Sequence, residues 1–222
     1  MAARGGVTIV AVPMRATRYS RLLPLVAALV ALAGCAPVPP APIAQAYLFE
    51  KGPYQAIYAP DGRVLRLLYD ADGDRVADVV TVYGPGARAL QAEIDSDGDH
   101  AVDRWEMFDP GGRLVKVGSA RRTPGQADLW ESVDPRGRVL QRQLDDDGDG
   151  HADREETFDA GALSRVALDS DSDGHMDRWQ TWRERRLLQE DLDTDGDGEP
   201  DRRLRFGPRG ELLELVKLGR AR

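Results

Sequence analysis

The stretch Asp145-Asp146-Asp147-Gly148-Asp149-Gly150-His151-Ala152-Asp153 is one copy of a motif that recurs along the chain. Acidic runs of the same form begin at Asp70, Asp95, Asp169 and Asp193. The five starts are separated by intervals of 25, 50, 24 and 24 residues. Because the long interval equals two short ones, we expect a further unit to begin at Ala120. A fixed period of this length indicates a repeat architecture, in which each unit packs mainly against its neighbours.

Each unit continues in a regular way after its acidic loop. An Asp follows eight residues after each start, and the unit at Ala120 conforms with Asp128. A mostly aromatic position comes five residues later and precedes a turn, such as Asp109-Pro110-Gly111-Gly112. Pro followed by Gly suits a hairpin turn, and the intervening runs of five to seven residues suit strands. The sequence therefore predicts an all-β fold, a tandem β-hairpin repeat array (ribbon or solenoid), with Asp-rich loops between the hairpins.

The loop consensus, D-x-D-G-D-G-x-x-D, places carboxylates at positions 1, 3, 5 and 9. If the loop wraps around a central point, these groups and the backbone carbonyl of position 7 form an oxygen cage. A hard cation with six to eight oxygen ligands fits such a cage, which favours Ca2+ over Mg2+. The predicted ligands are Asp70, Asp72, Asp74, Asp78, Asp95, Asp97, Asp99, Asp103, Asp145, Asp147, Asp149, Asp153, Asp169, Asp171, Asp173, Asp177, Asp193, Asp195, Asp197 and Asp201.

These loops resemble the EF-hand loop at positions 1, 3, 5 and 6, but they lack its Glu at position 12 and have strand-like flanks. They are closer to the Asp-rich calcium loops of thrombospondin type 3-like and integrin-propeller-like repeats, in which Asp closes the site at position 9. They are also similar to the tandem D-x-D-G-D-G repeats of bacterial lipoproteins. The resemblance covers nearly all of the mature chain and implies bound calcium.

The five sites are not expected to bind calcium with equal affinity. Position 6 is Gly150, Gly174 and Gly198 in the last three loops, but Arg75 and His100 in the first two. A residue other than glycine at positive φ costs roughly 1 kcal/mol, so we expect weaker or distorted binding in those two loops.

The unit at Ala120 departs further from the consensus, with Arg122 and Pro124 at positions where acids belong. It is expected to bind no calcium. Arg121 or Arg122 is a candidate for supplying positive charge to neighbouring carboxylates instead.

Plain acidic turns are the alternative interpretation, since Asp and Gly are both favoured in turns. That alternative explains one or two acids in a loop but not four at fixed offsets. Carboxylates brought together without a cation repel one another, so folding is expected to be linked to calcium.

The N-terminal segment has the features of a secretory signal. A basic stretch, residues 14–21, precedes an apolar run, residues 22–32, and Leu32-Ala33-Gly34-Cys35 follows. This quartet resembles the lipobox of bacterial lipoproteins, which implies cleavage before Cys35 and its acylation. The absence of Asp at Ala36 implies, by the same resemblance, the outer membrane. The alternative is a buried free cysteine in an N-terminal helix.

The predicted organisation is a signal peptide over residues 1–34, a Pro-rich tether over 35–45, a capping hairpin over 46–69 and six loop-and-hairpin repeats over 70–222. With 38 acidic and 30 basic residues the formal charge is -8, which disfavours nucleic-acid binding. One cysteine excludes an intramolecular disulfide, and aromatic residues make up only 6% of the chain. A thin-cored exported protein of this kind needs another source of stability, such as bound metal.

Three tryptophans, Trp105, Trp130 and Trp179, hold equivalent positions two residues after the closing Asp. Packing between neighbouring hairpins is the favoured interpretation, and a stacking platform for sugars or peptides is the alternative. Trp105 should share a strand face with Met107, while Phe108 should lie on the other face.

The other residues that could bind a metal or catalyse a reaction are not expected to lie together in one site. His100, His151 and His175 lie in separate loops and are expected to face solvent rather than bind zinc. Glu155 and Glu156 imply no cleft, so we predict no catalytic site and no enzyme activity.

The predicted function is a calcium-binding, membrane-anchored structural or binding lipoprotein, with an unidentified protein or glycan as a possible partner. The alternative is a surface adhesin or carbohydrate-binding lipoprotein that uses an exposed Trp column.

Overall fold

The computed structural model describes residues 45–219, which form one open antiparallel sheet of 15 strands in sequence order. The predicted all-β array of hairpins is thus confirmed. Neighbouring strands in a sheet lie about 4.8 Å apart, so the sheet extends for roughly 65–70 Å. The strands are β1 (Tyr47–Lys51), β2 (Tyr54–Tyr58), β3 (Val64–Tyr69), β4 (Val79–Tyr83), β5 (Ala89–Ile94), β6 (Arg104–Phe108), β7 (Leu114–Ser119), β8 (Leu129–Val133), β9 (Val139–Leu144), β10 (Arg154–Asp159), β11 (Ala162–Leu168), β12 (Arg178–Arg183), β13 (Arg186–Leu192), β14 (Arg202–Phe206) and β15 (Leu212–Lys217).

The connections alternate between two long sides of this sheet. Short turns join β2 to β3, β4 to β5 and so on along one side, which we call the turn side. The acidic loops join successive hairpins along the other side, the loop side. Consecutive loops are two strands apart, which places them about 10 Å from each other in a row. The strand β1, which pairs with β2, adds a third strand to the capping hairpin predicted over residues 46–69.

Backbone hydrogen bonds join each loop to the preceding one at its base. The N–H group of Asp95 donates to the carbonyl of Asp78 at 2.8 Å, and Asp193 donates to Asp177 at 2.9 Å. The sheet ladder therefore continues into the loops, and the closing residue of one loop is fixed beside the first residue of the next.

The difference between 24- and 25-residue units arises in the turns. In 25-residue units the turn ends on a left-handed residue, which is Ala87 in the first and Gly112 and Gly137 in the next two, with φ of 55°, 80° and 77°. In the two 24-residue units only two residues separate the strands, and both have positive φ. These tight turns are Ala160-Gly161 and Glu184-Arg185. Pairs of left-handed residues are typical of the type I′ turns that close two-residue hairpins.

The two faces of the sheet differ in composition. Pairing aligns Trp105, Gly118 and Trp130 on one face, which we call the indole face. Strand alternation places Met107 on that face and Phe108 on the opposite face, as predicted. Because there is no second layer in the described chain, few side chains are fully buried, and the buried apolar ones are Ala56, Ala59, Ala92, Val117 and Val166. The expected thin core is confirmed.

Ion pairs lie beside buried apolar side chains such as Val117 and Val166 along the middle of the opposite face. Glu156 is buried and pairs with Arg142 at 3.2 Å and with Arg154 at 2.7 Å. Glu190, which is also buried, pairs with Arg178 at 2.6 Å. Specific ladders of side chains of this kind help to hold flat sheets of many strands together.

Candidate metal centres

Each of the five acidic loops brings three carboxylates together. One oxygen from each lies within 4.8 Å of the others. Positions 1 and 3 contribute to every triad, and the third carboxylate comes from position 9 in the first, third and fourth acidic loops and from position 5 in the second and fifth. The triads are Asp70–Asp72–Asp78, Asp95–Asp97–Asp99, Asp145–Asp147–Asp153, Asp169–Asp171–Asp177 and Asp193–Asp195–Asp197.

Five of the predicted ligands lie outside these triads: Asp74, Asp103, Asp149, Asp173 and Asp201. Each has a local partner. Asp149 accepts a hydrogen bond from the N–H group of His151 at 2.7 Å, and Asp103 accepts one from the Ser96 hydroxyl at 2.6 Å. The structure thus brings three of the four predicted carboxylates together in each loop.

The carboxylates also hold the loop backbone in shape. In the loop that starts at Asp145, the two carboxylate oxygens of Asp145 accept hydrogen bonds from the N–H groups of Gly148 at 2.6 Å and Gly150 at 3.0 Å. Oδ1 of Asp147 accepts one from Asp149 at 3.0 Å, and the closing Asp153 accepts one from Asp146. Backbone amides are thereby satisfied within the loop, and each carboxylate retains lone pairs for a cation.

Position 6 has positive φ in all five loops, as the sequence predicts. Arg75 and His100 have φ of 78° and 70°, so the expected strain is present in the first two loops. One further non-glycine residue with positive φ was not predicted. Ser172, at position 4 of its loop, has φ of 58°. The other four acidic loops have Gly at that position. The loop that starts at Asp169 therefore also carries strain.

The charge in that loop is only partly balanced. Desolvation and repulsion from the carboxylates of Asp173 and Asp177 raise the pKa of Asp171. Desolvation acts in the same direction on Asp169, but backbone N–H groups, led by that of Gly174, outweigh it and lower the pKa of Asp169. A divalent cation would relieve the repulsion that acts on Asp171.

One oxygen in the same loop is buried without a partner. Oδ1 of Asp177 accepts no hydrogen bond from residues 45–219, whereas its Oδ2 accepts one from the Ser170 hydroxyl at 2.6 Å. A buried acceptor without a partner is destabilising, and a cation bound to Oδ1 would remove that cost.

The unit at Ala120 balances its charge by a different route. The side chain of Asp128 is only 5% exposed, and its Oδ1 accepts a hydrogen bond from Arg121 Nε at 2.9 Å. The same guanidinium group reaches Asp146 in the next loop at 3.2 Å. Within the described part of the chain this unit forms no carboxylate triad. Of the two arginines considered, Arg121 supplies the positive charge.

The histidines lie in the loops, as predicted, but His100 is not simply solvated. Its Nε2 lies 2.5 Å from Oδ2 of Asp74 in the preceding loop. The hydrogen bond with Asp74 raises the pKa of His100. This contact links residues 26 positions apart, so it depends on how the loops stack, and local spacing could not reveal it.

The tryptophans share the indole face but do not form one continuous column. Trp105 and Trp130 have ring centroids 6.3 Å apart. Trp179 lies four strands from Trp130, with Gln143, Glu155 and Ala167 between them in the paired row. All three indoles are partly exposed, so neither full burial nor an open column describes them.

The predicted signal segment and Cys35 lie outside the described residues. Among the residues that are described, no helix has the length and apolar character needed to cross a membrane.

Comparisons with known proteins identify no relative by sequence. No protein-family model and no curated protein matches the chain. Among solved structures, TarM of S. aureus, a mutant in complex with fondaparinux, alpha-GlcNAc-glycerol and UDP, has 8% identity and a TM-score of 0.40, over 50% of this chain and 21% of that one. Accessory secretory protein 1, 2 and 3 of Streptococcus pneumoniae has 13% identity and a TM-score of 0.25, over 55% of this chain and 20% of that one. This chain thus spans about a fifth of theirs, and likenesses this slight bear on neither mechanism nor partners.

Proposed function

We propose that the five acidic loops bind Ca2+ and that the bound ions stabilise the hairpin array. The observation that carries this proposal is a contrast between loops. In the first four triads, no carboxylate forms an ion pair with a basic side chain among residues 45–219. Where the acids at positions 1, 3 and 5 are missing, Arg121 pairs with the closing Asp128. The acidic loops thus concentrate negative charge that an added cation would balance.

The donor set favours calcium among the common cations. The triads consist of carboxylate oxygens alone, which suit hard cations rather than zinc or copper. The loops are short and are held mainly by hydrogen bonds from backbone N–H groups to carboxylates, and Ca2+ accepts irregular geometry with six to eight oxygens. Mg2+ requires a tighter octahedron and retains more water.

Calcium binding would be linked to stability. At free calcium ten times the dissociation constant, each site adds about 1.4 kcal/mol to the free energy of unfolding. A single-layer sheet with few buried apolar side chains has few other sources of stability, so several such contributions would form a large part of its free energy of unfolding.

A thermal unfolding experiment on the full chain tests the proposal. We expect calcium to raise the midpoint and a chelator to lower it. In calorimetric titration, Asp147→Asn should lose about one equivalent of bound calcium, because it removes a ligand at position 3. The control is Asp61→Asn, which makes the same charge change in the turn between β2 and β3. A midpoint that calcium leaves unchanged would refute the proposal.

We further propose that the array is a lipid-anchored protein of the bacterial envelope, held at the outer membrane, with a structural or binding role rather than a catalytic one. The support is the lipobox-like quartet that ends at Cys35 and the basic and apolar segments before it. The partners would be the membrane and an envelope protein or glycan, not nucleic acid. Metabolic labelling with a palmitate analogue should mark the protein, and labelling that persists in Cys35→Ala would contradict the anchor.

A further inference from the structure

A cleft opens on the indole face where β7 to β10 meet the loop side. Its volume is about 480 Å3, within the range of small-molecule sites. Four strand residues that share the indole face line it, and loop residues on either side form its walls. The strand residues are Lys116, Trp130, Gln143 and Glu155, and the walls include Gln126 and His151.

The indole ring of Trp130 lies over Gly118 of the adjacent strand in this cleft. A Cβ atom placed on Gly118, in the adjacent strand, would lie 2.7 Å from the ring. No larger residue fits there without moving the indole. Trp105, on the far side of Gly118, has its ring centroid 6.3 Å from that of Trp130. The glycine thus leaves room for the indole above the neighbouring strand.

Polar groups surround this aromatic surface. Gln143 donates a hydrogen bond from Nε2 to Oε1 of Glu155 at 2.7 Å, which fixes both side chains. The amide oxygen of Gln143 and the second oxygen of Glu155 form no hydrogen bond with other described residues. The Lys116 ammonium lies 4.7 Å from the Trp130 ring centroid. A donor and two acceptors therefore border one apolar surface.

We propose that this cleft binds a neutral saccharide, with one pyranose ring stacked on Trp130. A pyranose combines an apolar C–H face, which suits an aromatic ring, with hydroxyl groups that both donate and accept hydrogen bonds. A stacked pyranose takes the place of the Lys116 ammonium over the ring, and this flexible group then donates to a sugar hydroxyl. The charges disfavour other ligands. Lys116 repels a cationic ligand, and Glu155 repels anions. The groups that would contact the sugar are strand residues, so the proposal does not rest on calcium binding, although Asp145 and His151 of an acidic loop also line the cleft.

Trp179 provides a matched comparison within the same molecule. It holds the equivalent position in β12, but its paired neighbours are Ala167 and Asp191. It therefore lacks both the neighbouring indole and the Gln–Glu pair.

The test is titration of the full chain, in calcium, with cellotetraose, chitotetraose and maltotetraose, followed by tryptophan fluorescence and calorimetry. At least one should bind saturably. Trp130→Ala should weaken that binding by about tenfold or more, since it removes the stacking contact. Gly118→Ala should also weaken it, because the added methyl group displaces the ring. Trp179→Ala should bind like the wild type.

Gln143→Ala provides a second variant if Trp130→Ala does not fold, and it should also weaken binding. The proposal is overturned if none of the three saccharides saturates the protein up to about 10 mM. It is also overturned if Trp130→Ala and Gln143→Ala both bind as the wild type does, or if tetramethylammonium binds the cleft and the saccharides do not.

Discussion

At the scale of single residues, position 6 of each loop must adopt a left-handed backbone whatever its side chain. Glycine does so without strain, whereas Arg75 does so at φ of 78°. The cost, about 1 kcal/mol, falls on the ordered loop that binds the ion.

We predict that Arg75→Gly tightens calcium binding in the loop that starts at Asp70, by up to about fivefold, as strain is relieved. Arg75→Ala removes the same positive charge but keeps the Cβ atom, so it separates the effect of charge from that of backbone strain. Site-resolved calcium titration measures both. Equal affinities in the two variants would show that backbone strain does not limit this site.

The pairing of Arg121 with Asp128 is the second residue-scale feature that bears on stability. We predict that Arg121→Gln lowers the free energy of unfolding in chelator by about 1–3 kcal/mol, because a buried carboxylate loses its partner. Arg122→Gln is the matched control, since Arg122 forms no ion pair among the described residues. Urea unfolding of the full chain measures the difference.

The same pair predicts a dependence on pH. Desolvation favours the protonated form of Asp128, but Arg121 outweighs it and holds the pKa of Asp128 below its usual 3.8. The contribution of the pair is therefore complete above that value and is lost as pH falls through the lower pKa of the folded state. The difference between the wild type and Arg121→Gln should shrink below about pH 4.

At the scale of elements, the hairpins use two kinds of turn, and the tighter kind contains residues poorly suited to it. Glu184 and Arg185 both have positive φ, at 51° and 64°. A two-residue turn of this geometry favours Asn followed by Gly.

We predict that replacing Glu184 by Asn and Arg185 by Gly raises the free energy of unfolding by about 1 kcal/mol, since both residues then fit the left-handed region. The exposed ion pair between Glu184 and Arg186 that is lost contributes little. As a control, Arg136→Gly lies in a turn whose left-handed position is already Gly137, and it should bring no gain. Thermal unfolding measures both, and a destabilised Asn-Gly variant would contradict the turn assignment.

At the scale of the whole molecule, the array is a single sheet in which each unit contacts only its neighbours. Stability in such an array is approximately a sum of local terms. A change in one loop should therefore act mainly on its own unit and the two beside it.

We predict that chelation of calcium increases hydrogen exchange most in β9 to β14, which adjoin the three loops with glycine at position 6. The segment around β8 should change least, because Arg121 stabilises its loop without metal. Exchange followed by mass spectrometry, with and without calcium, measures this. A uniform increase along all 15 strands would indicate one cooperative unit and contradict the local picture.

The sequence by itself determined the period, the hairpins, the acidic loops and the unit that departs from them. These features follow from residue types at fixed local spacing, since Gly, Pro and Asp act on the backbone within a few residues. The alternation that places Trp105 and Phe108 on opposite faces is equally local. Even the left-handed backbone of position 6 was predictable, because the loop must turn there.

Only the tertiary structure decided how the units meet. That His100 reaches Asp74 and that Gly118 accommodates Trp130 both depend on exact strand register. Arg121 could be singled out over Arg122 only once Asp128 and Asp146 were placed beside it. These contacts join residues from 7 to 26 positions apart, and they form because pairing of adjacent strands brings distant parts of the chain side by side.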